Sequence, residues 1–344
     1  VVITAGPMVP RILSQPQSLQ VAVGANAQFR VTAGGSAPLS FQWRKNGVPI
    51  GLTLPILQLP SISTNQAGSY DVLVENAFGA TVSTVATLDV LPAGEYVGYF
   101  TDRREQNTGH EMPILKAGFS PIHVTNIVSQ DLSSLRMLLI HEWSVTSPSG
   151  ALEDRLPDIE AWVRNGGSLV IHDESVGVMP TSRFLLGYPS IPCVREYIED
   201  IDVIPPRGSM VTDGPFGRID DSSLDGGEVS ADGYVLAQNL PPDAMSFLSW
   251  GSDYSKVVAF AYPLGAGQVY YSSIPVAWFL DGNPQENHPI APTVQAIYLP
   301  NLVTYAYQST AGTSPPVVLR NPRSLTVAEG YSALFMVDAV GTPP

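Results

Sequence analysis

Cysteine and basic residues are scarce in this sequence. Cys193 is the only cysteine among 344 residues, so no disulfide can form within the chain, and one thiol neither indicates nor excludes export. Only 17 Lys and Arg stand against 31 Asp and Glu, which gives a formal net charge of −14. Because phosphate-rich partners are held by clustered positive charge, this balance argues against nucleic acid and anionic membranes as partners.

Long apolar runs are missing as well. The run with strand or helix character at 135–140 has the size of a core strand and is far below the ~18–20 residues of a membrane-spanning helix. The chain opens on Val1 and Val2 with neither Met nor a basic-then-apolar leader, so we expect a mature product or an excised piece. Charged residues make up 14%, against roughly 25% in an average soluble protein, whereas the hydrophobic content of 44% is enough to build cores.

Glycine and proline, in contrast, are abundant, with 30 and 31 residues, and they separate short alternating segments over residues 11–91. Phe29 and Val31, for example, alternate with polar neighbours, and the pair Asn46 and Gly47 is typical of a hairpin turn. About seven such segments in so short a stretch predict an all-β sandwich.

These residues resemble an immunoglobulin-like domain of the intermediate set, as found in bacterial proteins. The resemblance covers residues 11–91, within a domain that we place at residues 1–92. It implies that Trp43 is the tryptophan buried on the third strand and that Tyr70 forms a tyrosine corner. Val31 and Val72 occupy the places of the two bridged cysteines, so two buried apolar side chains replace the disulfide.

Part of this pattern occurs twice, because residues 321–340 repeat residues 15–34, with Phe335 at the place of Phe29. We therefore predict that residues 310–344 contain a linker and the first strands of a second, incomplete immunoglobulin-like domain. Half a sandwich cannot close its own core. Either the sequence is cut from a longer tandem chain, or strands of another subunit complete the domain. Both explanations predict self-association or adjacent domains of one long chain as partners.

Residues 93–309 follow a different pattern. A buried run at 135–140, a helical pattern over 152–165 and a second buried run at 168–171 succeed one another with short joints. Strand, helix and strand in this order predict an α/β domain built on a doubly wound parallel sheet.

Segments 159–175 and 265–275 resemble the class I glutamine amidotransferase-like fold, a flavodoxin-like arrangement. In active members of that family a cysteine follows such a strand on a strained turn. Here Asp173 or Glu174 stands at that place, and Cys193 lies in an irregular stretch. The resemblance therefore implies the fold without its cysteine-based activity.

Polar residues follow both buried strands, at the edge where ligands bind in such sheets. They are His141, Glu142, His172, Asp173, Glu174 and Ser175. One interpretation is that they cap strand ends and a helix N-terminus. The alternatives are a divalent metal site, or acid–base hydrolysis with Ser175 as nucleophile and a histidine as base.

Acidic residues in a loop rich in glycine and serine are the other candidate. Asp220, Asp221 and Asp225 offer the oxygen ligands that calcium prefers, although no EF-hand spacing is present. The simpler interpretation is a solvated acidic surface. No other cofactor is expected.

The sequence as a whole predicts a non-catalytic, structural link of a large modular bacterial surface protein, such as a fibre, sheath, surface layer or adhesive stalk. We expect an extracellular or cell-surface location. The alternatives are a hydrolase at the sheet edge and a module that binds a glycan or a calcium-dependent partner. Convergence of His172 and Ser175 on an open cleft would favour the hydrolase, whereas burial of both against neighbouring groups would favour the structural role.

Overall fold

The computed structural model describes residues 7–91, 96–103, 107–142, 148–226, 229–280, 289–309, 317–320 and 338–340. Contacts divide the chain into two compact units. The first comprises residues 1–96 together with 122–135, and the second comprises 97–121 together with 136–344. The domain boundaries predicted from the sequence, at 92/93 and 309/310, remain predictions.

The described part of the first unit is built from ten short strands. They are β1 (Arg11–Ser14), β2 (Leu19–Ala22), β3 (Ala27–Arg30), β4 (Thr32–Gly34), β5 (Ser40–Lys45), β6 (Val48–Pro49), β7 (Ile56–Leu59), β8 (Gly68–Asn76), β9 (Gly79–Val82) and β10 (Ala86–Leu91), with a 3₁₀ turn at Thr64–Gln66. One sheet has the order β2–β10–β8–β5–β6, with β9 beside β8, while β3 pairs with β7 and β1 with β4. This arrangement confirms the predicted immunoglobulin-like sandwich.

The core of the sandwich contains the aromatic residues that the sequence singled out. Trp43 is fully buried, and its ring lies 6.2 Å from that of Phe29, which stacks on Tyr70 at 5.0 Å. The Tyr70 hydroxyl donates a hydrogen bond to the carbonyl of Gln66 at 2.7 Å, as a tyrosine corner requires. The predicted positions of the tryptophan and the tyrosine corner are therefore confirmed.

The disulfide positions are filled as predicted. Val31 and Val72 are both buried in the same apolar cluster as Trp43. Burying such a side chain contributes about 1.5–3 kcal/mol, so the pair offsets the missing disulfide without any covalent link.

Residues 122–135 pack with the first unit, although they follow it in the sequence by about thirty residues. Asp131 accepts a hydrogen bond from the backbone N–H of Asn26 at 2.7 Å, and Thr125 donates one to the carbonyl of Ser18. A short strand, Ser120–His123, leads into this segment and ends at His123, because the Asn126 side chain accepts hydrogen bonds from two following backbone N–H groups and forms a turn.

Replacing Asp131 with alanine should destabilise the first unit by about 0.5–1.5 kcal/mol, because the Asn26 N–H loses its acceptor. Faster hydrogen exchange in peptides that contain β2 and β3 measures this loss. Asp89→Ala is the matched control, since Asp89 is an exposed carboxylate of the same unit. Equal exchange rates in both variants would show that the Asn26–Asp131 contact contributes nothing.

Further strands lie between residues 96 and 272. They are β11 (Tyr96–Asp102), β12 (Ser120–His123), β13 (Met137–Glu142), β14 (Ser168–Asp173), β15 (Val194–Ile198), β16 (Ile201–Val203), β17 (Asp213–Gly214), β18 (Gly217–Arg218), β19 (Ala231–Leu236), β20 (Met245–Trp250), β21 (Asp253–Leu264) and β22 (Gly267–Ser272). Short 3₁₀ turns occupy Leu132–Ser134 and Ala237–Asn239.

Five α-helices are described. They are α1 (Glu111–Lys116), α2 (Gly150–Arg164), α3 (Val276–Leu280), α4 (Ala291–Thr293) and α5 (Leu299–Gln308), and a π-helical turn, Val294–Tyr298, joins the last two. Within the described ranges, no helix is long and apolar enough to cross a membrane.

The strand and helix patterns of the sequence reappear in β13, α2 and β14. The helix begins where Ser149 accepts a hydrogen bond from the Leu152 N–H, and it ends at Arg164, followed by the C-cap Asn165 and by Gly166 with φ of +110°. Its apolar face buries Ile159. Strands β11, β13, β14 and β22 lie side by side and run parallel.

Beyond β22 the neighbouring strands of the sheet are antiparallel. Strand β21 pairs antiparallel with β22 across the two-residue turn of Gly265 and Ala266, which is too short for a crossover to a parallel strand. Strands β19 and β15 extend this antiparallel half. The sheet is therefore mixed, and the doubly wound, amidotransferase-like assignment of the parallel half stays a prediction.

The backbone of two late strands repeats a pairing of the sandwich. Strand β23 (Val317–Arg320) pairs antiparallel with β24 (Asp338–Val340), with Val317 opposite Val340. Strand β1 pairs with β4 in the same register, with Arg11 opposite Gly34. The offset is 306 residues, the difference between 317 and 11, and it holds for all three registered pairs. The rest of the predicted second domain, including Phe335, lies outside the described residues.

Candidate functional site

The parallel strands end in two rows of polar residues on opposite faces of the sheet. Register places Thr101, His141, His172 and Ser272 side by side. One residue later it places Asp102, Glu142 and Asp173 side by side. Because successive residues of a strand point to opposite faces, the histidines occupy one face and the carboxyl groups the other. All of these side chains are buried.

The histidine row extends to a third ring. His110 precedes α1, and its ring centroid lies 6.1 Å from that of His141, which lies 6.2 Å from that of His172. The Nε2 atom of His141 is 3.1 Å from Oε1 of Glu174. Burial lowers the pKa of His172 well below its usual value, and His141 and His110 lower it further, against an opposing contribution from the backbone of Ile274. The His172 ring is therefore neutral.

The carboxylate of Asp173 is surrounded by hydrogen-bond donors. The backbone N–H and the hydroxyl of Ser175 donate to Oδ1 at 2.9 and 2.8 Å. The hydroxyls of Ser182 and Tyr271 donate to Oδ2 at 2.8 and 2.7 Å. Burial raises the pKa of Asp173, while these four hydrogen bonds lower it.

The Glu142 carboxyl group accepts fewer hydrogen bonds than Asp173 does. Its Oε2 accepts a hydrogen bond from the Ser175 N–H at 3.1 Å, and its buried Oε1 has no partner among the described residues. Burial raises the pKa of Glu142 to about 9, with further contributions from the charges of Asp173, Asp102 and Glu174. These surroundings favour the protonated form of Glu142 over the carboxylate.

These contacts bear on the hydrolase hypothesis. The Ser175 hydroxyl donates to Asp173 and not to a histidine, and His172 is fully buried. The structure thus brings the predicted residues to one edge of the sheet but does not form the serine–histidine pair that a nucleophile needs. Burial raises the pKa of Cys193 to about 12, so this thiol is protonated at neutral pH. The hydrolase alternative stays a prediction.

Several residues of the site were missed by the sequence analysis. Asp102 ends an apolar strand just as Glu142 does, and that pattern could have identified it. Asp232 and Arg195 come from the antiparallel half, with Arg195 Nη2 3.6 Å from Asp232 Oδ1. Burial raises the pKa of Asp232 to about 8, and the charge of Glu174 adds to this. Their place beside the site depends on strand pairing that the sequence does not reveal.

The predicted calcium ligands each have a protein partner. Asp220 accepts hydrogen bonds from the two serines that follow it, Asp221 pairs with Arg207, and Asp225 accepts one from the Ile201 N–H at 2.8 Å. Neither here nor at the sheet edge do the described residues contain a group of three or more His, Cys, Asp or Glu arranged to hold a metal ion. Calcium at Asp220, Asp221 and Asp225 therefore gains no support.

The match to a known protein family lies in the first unit. The model of the immunoglobulin I-set domain matches residues 10–90. Tyrosine-protein phosphatase Lar of Drosophila melanogaster is 33% identical over 103 residues, and the match covers 25% of this chain and 5% of Lar. The chain thus spans about a twentieth of the length of this curated relative.

Solved structures of single and tandem domains match about a quarter of the chain. The titin M4 domain is 24% identical and covers 25% of this chain and 100% of its own, with a TM-score of 0.24. The tandem Ig repeats of Dlar are 22% identical and cover 26% and 51%, with a TM-score of 0.25. The family match, together with the buried Trp43 and the tyrosine corner, leads to one assignment. Residues 10–90 are an immunoglobulin I-set domain.

Proposed function

We propose that this chain is a structural link of a modular extracellular protein, in which the immunoglobulin I-set domain serves as a force-resisting spacer or adhesive module. The observation that carries the proposal is the pairing of β2 with β10. These strands lie near the two ends of the domain, and they are parallel neighbours, with Leu19 opposite Leu88 and Val21 opposite Val90. A pull on the two ends therefore loads all the hydrogen bonds of this pair together instead of opening them one by one.

The repeated register supports a modular chain. The pairing of β23 with β24 matches that of β1 with β4 at every registered position. A second immunoglobulin-like domain after the mixed sheet agrees with this match. In such an array, neighbouring domains or copies of the chain would be the partners.

The proposal also covers the location of the protein, the fold of its second unit and its source organism. The low charged fraction of 14% agrees with an extracellular location. The parallel strands with α2 between β13 and β14 agree with an amidotransferase-like α/β domain carried between the modules. A bacterial source stays a prediction, and the curated relative reported above is from Drosophila.

Pulling single molecules of the full chain by its two ends tests the mechanical role. We expect the unfolding of residues 10–90 to appear as a separate force peak, with a gain in length of up to roughly 270–290 Å at ~3.3–3.6 Å per residue. Val23→Pro should lower that peak force, because it removes the N–H that donates to the Leu91 carbonyl at 2.9 Å beside the β2–β10 pair.

Val85→Pro is the matched control, since Val85 is exposed in the loop before β10. The peak force of this variant should equal that of the unchanged chain. Extension of residues 10–90 without a force peak would contradict the structural role. Equal forces in the two proline variants would show that the β2–β10 pair does not resist the load.

A further inference from the structure

Five carboxyl groups lie buried in the second unit within reach of one another's charge. They are Asp102, Glu142, Asp173, Glu174 and Asp232. Removing a carboxylate from water is costly unless a cation, a set of hydrogen-bond donors or a proton compensates. The partners of each group therefore indicate its state of charge.

Hydrogen-bond donors compensate two of the five. Asp173 accepts four hydrogen bonds, two on each oxygen. Asp102, on the neighbouring strand β11, accepts hydrogen bonds from the backbone N–H and the hydroxyl of Ser149 at the start of α2. The hydrogen bonds to Asp173 lower its pKa and so oppose the effect of burial, which raises it.

Side chains that can carry positive charge lie beside two others. His141 lies against Glu174, and Arg195 lies near Asp232. Glu142 has no such neighbour among the described residues. The charged and titratable groups that face it are Asp102 from β11 and Asp173 and Glu174 from the end of β14, all of them acidic. Its Oε1 is buried without a partner in the described structure, and its Oε2 shares the Ser175 N–H with Asp173.

We propose that the second unit binds one proton at Glu142 when it folds, so that Glu142 is a proton-binding site through which pH controls the stability of this unit. A proton turns the uncompensated carboxylate into a neutral acid and removes its repulsion with Asp102 and Asp173. The raised pKa of Glu142, about 9, agrees with this assignment.

The direction of the pH effect follows from the two states. The folded protein keeps the proton up to about pH 9, whereas the unfolded chain releases it near the ordinary glutamate pKa of about 4.3. Between these values the folded state binds more protons, so stability falls as pH rises. One proton corresponds to a tenfold change in the unfolding equilibrium constant per pH unit.

The test compares Glu142→Gln with the unchanged full chain. Cys193 is the only cysteine and is buried in the second unit, so its labelling by a thiol reagent reports the opening of this unit. The glutamine imitates the neutral acid and cannot lose a proton. We expect the labelling rate of the unchanged chain, relative to that of Glu142→Gln at the same pH, to rise about tenfold per unit between pH 6 and 8.

Glu196→Gln is the matched control, because Glu196 is an exposed carboxylate on β15. Its labelling rate relative to the unchanged chain should not vary with pH. Infrared spectra give a second measurement that needs no stability change. The native chain at pH 7 should show the carbonyl band of protonated carboxylic acids, and this band should be weaker in Glu142→Gln, where Asp232, with a pKa raised to about 8, still contributes to it.

Two results would overturn the proposal. One is a rate ratio for Glu142→Gln that stays constant with pH, together with an unchanged carboxylic-acid band, since Glu142 would then be ionised. The other is faster labelling of the unchanged chain after removal of divalent cations with a chelator, with no such change in Glu142→Gln. In that case a cation, and not a proton, would neutralise Glu142.

Discussion

Replacing Trp43 with alanine should destabilise the immunoglobulin domain by about 3–5 kcal/mol. The indole is fully buried against Phe29, and its Nε1 donates a hydrogen bond to the Leu54 carbonyl at 2.9 Å. Alanine would leave a cavity between the sheets and an unpaired carbonyl. No disulfide is present to limit the unfolded chain, so the full loss should appear.

Hydrogen exchange of peptides from β5 and β8 measures this effect, because it reports on the first unit separately from the second. Phe78→Ala is the matched control, since Phe78 is an aromatic residue of the same unit with 51% of its surface exposed. The control should exchange like the unchanged chain. Similar exchange in Trp43→Ala would mean that the tryptophan is not part of the core.

Replacing Gly177 with alanine should destabilise the second unit by about 2–5 kcal/mol. Gly177 has φ of +68°, a conformation that costs a side-chain-bearing residue about 1–2 kcal/mol. A Cβ atom there would lie 2.1 Å from the backbone nitrogen of Arg195, and overpacking of this kind costs about 1–3 kcal/mol more. The strain would fall next to Ser175, which links Glu142 and Asp173.

Gly118→Ala separates the two contributions. Gly118 has φ of +89°, but no atom lies within 4 Å of its added Cβ, so this variant has the conformational cost alone. Labelling of Cys193 should therefore be about 5- to 150-fold faster in Gly177→Ala than in Gly118→Ala, as a difference of about 1–3 kcal/mol requires. Equal rates would show that the loop moves away from β15 without cost.

The immunoglobulin domain could be predicted from the sequence because the residues that indicate it lie in short patterns of neighbouring residues. Trp43 and Tyr70 lie in alternating strands next to typical turns, and this pattern sets both the fold and the burial. The segment 122–135 could not be assigned in the same way. Its contact with the sandwich depends on hydrogen bonds such as that from Asn26 to Asp131, between residues 105 positions apart.

The candidate site was predicted in position but not in chemistry. Polar residues after apolar runs located the edge, yet the separation of His141 from Glu142 onto opposite faces follows from strand alternation and register together. Two of the four hydrogen bonds to Asp173 come from the nearby Ser175, but another comes from Tyr271 on β22, 98 positions away. The contact with Tyr271 arises from tertiary structure, and no local pattern encodes it.

Residues 122–135 contribute to the first unit, and this affects how the domain can be transferred to another protein. A gene fragment that ends at residue 92 would encode every strand of the sandwich but not Asp131, the acceptor for Asn26. The compact unit thus includes a segment outside the I-set match at residues 10–90. Recombination that moves residues 10–90 alone to a new protein, in evolution or in the laboratory, would leave behind the hydrogen bond that the later segment supplies.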